Sequence, residues 1–261
     1  MHIGKTFGAL TALVIAAGAL QLVSPAVSYA ASGGTCTGGS VAAGSYPSLT
    51  ITGPCTVDAG TVSVARNLTV APGGELVAAF GGSDVNVGGN LTVQTNGVLV
   101  LGCEPEAFPC VNDPTLTTHD TVGLNLIAHG ALAVIVHAST IGNNSTVQGG
   151  GGGVTCGSSI PNFPMIGPAY IDFEDNTISG NSIIQGVQSC WAGYIRNHVS
   201  GNVNYQRNTF ADPDASELTT NNVGRNMICF NNNPAVQFGD SQGSPNIVGG
   251  KALGECKNVV S

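Results

Sequence analysis

Val87-Gly88-Gly89-Asn90-Leu91-Thr92-Val93 is one of a series of near-copies spread along most of the chain. The others run from Val64 to Val70, Val122 to Ala128, Ile141 to Val147, Ile178 to Ile184, Val199 to Tyr205 and Val223 to Cys229. A degenerate eighth copy, Ile247 to Leu253, carries Lys251 where the others carry Asn. The central residues are Asn67, Asn90, Asn125, Asn144, Asn181, Asn202 and Asn226, spaced 23, 35, 19, 37, 21 and 24 apart. A period near 20 residues marks a solenoid, in which each repeat buries its apolar face only against its neighbours. The two long intervals each hold one repeat plus an insertion.

Within a repeat, apolar residues alternate around a Gly-Gly-Asn corner, as in Val87, Leu91 and Val93. Alternation indicates strand and the corner indicates a turn. Gly and Asn both tolerate positive φ, so the corner is expected to be left-handed. Asn side chains at one corner of successive rungs, ~4.8 Å apart, can bond along the stack. These features predict an all-β fold: a single-stranded parallel β-helix (β-solenoid), right-handed because such crossovers are right-handed in about 98% of cases.

The chain opens with Met1-His2-Ile3-Gly4-Lys5, followed by an apolar run from Phe7 to Val23 and a small-residue end at Ser28-Tyr29-Ala30. That is the pattern of a secretory signal peptide, 1–30, cleaved after Ala30. The mature part then has 261 − 30 = 231 residues, with 6 basic and 15 acidic side chains. Such a balance disfavours nucleic acid and anionic membrane as partners. No later stretch is long and apolar enough to span a bilayer. Residues 31–60 read as an N-terminal cap, and 61–261 as the β-helix domain with insertions at 103–119 and 149–169.

All eight Cys follow residue 30, and an even count in an exported chain indicates disulfides. Neighbours in a solenoid stay close in space, which favours the sequential pairs Cys36–Cys55, Cys103–Cys110, Cys156–Cys190 and Cys229–Cys256. No Cys or His spacing matches a zinc site, and no cofactor is implied.

Several groups could carry chemistry. Alternation in Tyr170-Ile171-Asp172-Phe173-Glu174-Asp175 puts Asp172 and Glu174 on one face, where they could bind Ca²⁺ or act as an acid/base pair. A solvated outer face is the simpler expectation. Asp212, Asp214 and Glu217 read as a loop cluster, and His119-Asp120, His129 and His137 have no nucleophile beside them. Aligning Asn176 with Asn197 sets Asp175 beside Arg196, Phe173 beside Tyr194, and Glu217 two rungs from Asp172.

The Gly-Gly-Asn-Leu-Thr-Val pattern and the segment from Cys229 to Cys256 resemble secreted right-handed parallel β-helix proteins of high-GC Gram-positive bacteria. The likeness covers residues 36–256; it implies a fold and an export route and supplies no catalytic motif. More distantly, the chain resembles pectate-lyase-like enzymes, which hold Ca²⁺ with clustered Asp and use an Arg as base. Here Arg66, Arg196, Arg207 and Arg225 face no evident Asp ladder. The functional expectation is a non-catalytic secreted or cell-envelope β-solenoid that binds carbohydrate or associates with itself. The alternative is a polysaccharide lyase or glycoside hydrolase, with Asp172, Glu174 and Glu217 as its only candidates.

Overall fold

A computed structural model describes residues 33–241 and 243–261. The proposed signal peptide lies outside the described residues. The chain is a parallel β-helix of three long sheets with ten, eight and nine strands, which the rungs supply in turn until Met227–Phe230, after which the chain passes to the nine-stranded sheet without a strand in the eight-stranded one. In the quoted repeat, Ser83–Val87 belongs to the nine-stranded sheet and Leu91–Val93 to the ten-stranded one. Leu91 pairs with Leu68 on one side and Leu126 on the other, so the repeats stack in register. Their alternate side chains point inward: Leu68, Leu91 and Leu126 are fully buried, as are Val70, Val93 and Ala128 one turn of the alternation later.

The Asn column forms as expected. Asn90 N–H donates to Asn67 Oδ1 at 2.9 Å, and the pattern continues through Asn125, Asn144, Asn181, Asn202 and Asn226. From Asn125 onward the side-chain amide also donates to the Asn before it, at 2.9–3.2 Å. Lys251 keeps only the backbone link, to Asn226 Oδ1 at 2.9 Å.

The expected left-handed corner is corrected, because neither these Asn nor Gly88 and Gly89 have positive φ. Close approach is what requires glycine: a Cβ on Gly88 would sit 2.6 Å from Ala65 O. Positive φ occurs instead at the corner after the eight-stranded sheet, at Ala138, Asp175, Arg196 and Thr220. A second Asn column follows directly there. Asn176, Asn197, Asn221 and Asn246 are buried and linked side chain to side chain at 2.8–3.1 Å.

The segment 31–60, expected as a cap, supplies strands from Gly34–Cys36 onward that pair in all three sheets, so stacking begins there. The four disulfides are the sequential ones expected. Both insertions fold back over the outer face of the eight-stranded sheet. There Val77, Val98, Val100, Ala133 and Ile135 form a second apolar cluster with Cys103, Cys110 and Ile160. No helix among the described residues is long and apolar enough to cross a membrane.

Candidate functional site

The eight-stranded sheet changes character along its outer face. Its apolar stretch ends at Ile135, and from there the outward positions are His137, Asp172 and Glu174, Gly193 and Ile195, then Glu217 and Thr219. The strand registers Ile135↔Asp172, His137↔Glu174, Asp172↔Gly193 and Gly193↔Glu217 fix this order.

The solvated outer face expected for the acidic pair is corrected. Asp172 is 5% exposed, Glu174 7% and Glu217 1%. Phe108 from the first insertion and Pro168 from the second stand over this face with Tyr170, Trp191 and Asp212, and enclose a cleft of about 360 Å³. Tyr170 and Trp191 meet edge to face at 6.0 Å.

Absence of a side chain at Gly193 makes room for the Trp191 indole. A Cβ there would lie 2.7 Å from Asp172 Oδ1 and would also strike the edge of the indole. The opposite edge of that ring donates from Nε1 to Glu217 Oε1 at 2.8 Å. Asp172 and Glu217 are therefore separated by an aromatic ring.

Arg196 corrects the expectation that no Arg faces clustered acids. Its guanidinium binds Asp175 through Nε and Nη2 at 2.6–3.0 Å and Glu174 Oε2 at 2.6 Å, with Glu104 Oε1 3.6 Å away. The Asp175–Arg196 pairing expected from the rung alignment is thus formed, and Phe173 and Tyr194 lie 6.2 Å apart in the core. The neighbouring carboxylates push the Arg196 pKa up, the Asp175 hydrogen bonds most of all.

Burial, reinforced by Asp172, pushes Glu174 up to about 9 despite Arg196. Burial and then the adjacent Asp175 carboxylate push Glu104 up to about 7. Glu217 reaches about 7, again through burial, which outweighs the Trp191 hydrogen bond.

The remaining candidates are dispersed. His119 and His129 are exposed, whereas His137 is fully buried, stacked on Phe108 at 5.0 Å and 3.2 Å from Asp172. Asp214 joins Glu217 and Asp240, while Asp212 lines the cleft. Glu104, Phe108, Tyr170 and Trp191 were not singled out in the sequence. A larger concavity of about 720 Å³ runs along the ten-stranded sheet, lined by the Asn column and Ile127, Ile183 and Ile228. The amides of its Asn column are committed to one another, Asn204 stands outside that column with its Oδ1 unpartnered, and His129 is its one titratable group, so the acid–base chemistry resides in the smaller cleft.

No family model, curated protein or solved structure matches the chain.

Proposed function

We propose that the protein is a secreted β-solenoid that binds a short stretch of carbohydrate, without cleaving it, in the cleft between the two insertions. The observation that carries this reading is the edge-to-face Tyr170–Trp191 pair at 6.0 Å beside Asp172, Glu174 and Asp212. Sugar rings have apolar C–H faces that pack on aromatic rings, and hydroxyl edges that donate to carboxylates. The volume of about 360 Å³ is at the small end of the ~300–1,000 Å³ range of small-molecule sites, which suits one or two sugar units. Four disulfides support an oxidising, extracellular setting.

The placement of the acids supports binding without cleavage. Hydrolysis needs two carboxyl groups across a scissile bond, ~5–9.5 Å apart with room for the sugar between them. Trp191 fills the space between Asp172 and Glu217, and Arg196 occupies one oxygen of Glu174. The lyase or hydrolase alternative draws support from the raised Glu174 and Glu217, which would hold protons near neutral pH as a general acid must.

A glycan array run with a reducing-end release assay separates the two. Saturable binding that falls at least about tenfold in Trp191→Ala, with no new reducing ends, supports the binding reading. Cleavage of a defined oligosaccharide, lost in Asp172→Ala or Glu217→Ala, would replace it with the enzymatic one.

A further inference from the structure

Beside the cleft, Glu104, His137 and Glu174 bring one donor atom each to within 4.8 Å of one another, and all three side chains are buried. His137 and Glu174 are register partners at the ends of adjacent strands, Ala133–His137 and Ile171–Glu174, so one sheet spacing fixes them. Glu104 arrives from the first insertion, whose base is held by Cys103–Cys110 and a bridge to Phe108.

Glu104, Asp172, Glu174 and Asp175 gather four carboxyl groups around one permanent cation, Arg196. Buried charge without a counterion is strongly unfavourable.

A second observation concerns His137 itself. It is 0% exposed, and neither ring nitrogen makes a hydrogen bond. Nε2 lies 3.2 Å from Asp172 Oδ2 without forming one, and Glu104 Oε1 and Asp172 Oδ1 also lack partners. Phe108 stacks on the imidazole with the two planes 20° apart, which holds the ring edge-on to the acids. Buried imidazoles normally pair at least one nitrogen. This one is poised among oxygen donors.

We propose that Glu104, His137 and Glu174 hold a divalent first-row transition cation of the zinc class. A nitrogen donor among oxygens selects such ions over Ca²⁺ and Mg²⁺, which prefer oxygen alone. Bonds of ~2.1 Å put tetrahedral ligands about 3.4 Å apart, which modest side-chain rotation reaches from the observed spread. The other Glu174 oxygen remains with Arg196, and Asp172 adds negative charge next to the ion. Glu174 also lines the cleft, so the ion would sit at its wall; the site itself does not depend on the carbohydrate reading.

The test uses tag-free full-length protein stripped with a chelator and titrated calorimetrically with Zn²⁺, Ca²⁺ and Mg²⁺ in separate arms. One equivalent of Zn²⁺ is expected, bound more tightly than Ca²⁺ or Mg²⁺. Glu104→Gln lies on the insertion and leaves the rung stack untouched; it should weaken Zn²⁺ at least about tenfold, as should His137→Gln. Asp240→Asn, in the separate Asp214, Glu217 and Asp240 group, should leave the titration unchanged. Co²⁺ should give visible d–d bands that Glu104→Gln shifts or removes. No saturable Zn²⁺ uptake, tighter binding of Ca²⁺, or a Glu104→Gln titration equal to wild type would overturn the proposal. If His137→Gln fails to fold, the Glu104→Gln result decides.

Discussion

Asp120→Asn should stabilise the protein, and by an amount that depends on pH. Asp120 stands directly before Thr121, whose register partners along the nine-stranded sheet are Thr140, Thr177, His198, Asn222 and Ile247. The residues before those partners are Ser139, Asn176, Asn197, Asn221 and Asn246, so Asp120 is a carboxylate placed in the buried amide column. Its Oδ1 accepts the Val85 N–H at 2.6 Å, as each Asn accepts from the rung before it. Its Oδ2 is buried and has no partner, where an amide would carry its donor.

Burial pushes the Asp120 pKa up from 3.8 to about 7. Between those values the folded chain keeps a proton that the unfolded chain has released. Stability therefore falls as pH rises through this window, and the full penalty is present above about pH 7. At ~1.4 kcal/mol per pH unit, the interval corresponds to about 4 kcal/mol.

Asn has no such titration. The gain from Asp120→Asn should be close to zero near about pH 4 and approach ~4 kcal/mol near about pH 8. Urea unfolding of both proteins across that range measures it. A gain that does not vary with pH, or a loss at neutral pH, would refute the reasoning.

The two Asn columns should differ in worth. Asn221→Leu removes four buried hydrogen bonds, to Tyr194 O, Asn246 and both nitrogens of Asn197, and should cost at least about 4 kcal/mol by denaturant unfolding. Asn90→Leu breaks bonds at a partly exposed corner where water can substitute, and should cost about 1–2 kcal/mol; equal losses would show that burial does not set the difference. Non-reducing peptide mapping should recover the four sequential disulfides, and a peptide joining Cys55 to Cys156 would contradict the structure.

The fold was legible because Val87, Leu91, Val93 and Asn90 recur at positions that only stacking explains. Aligning Asn176 with Asn197 was enough to place Asp175 against Arg196, since register propagates from rung to rung. The site was legible only where it lies on strands. Glu104 and Phe108 belong to an insertion whose docking direction no periodicity encodes, and without them His137 has no visible partners and Asp172 and Glu174 read as solvent-facing. The role of Gly88 is hidden from the sequence for a related reason: close approach to Ala65 O involves another rung, whereas positive φ is a local property.

The double-sided burial of the eight-stranded sheet has a consequence for a chain made from its N-terminus. Strands Glu75–Ala78, Val98–Leu101 and Ala133–His137 all precede the second insertion in the chain. Their outward Val77, Val98, Val100, Ala133 and Ile135 wait for Ile160, Phe163, Ile166 and Tyr170. At ~5–20 residues per second, a nascent chain whose strands have stacked shows water a half-covered apolar sheet for a few seconds, long enough to attract a chaperone or a sister chain. A fragment ending before residue 160 would keep exposed the part of that face that the first insertion does not cover, and aggregate through it.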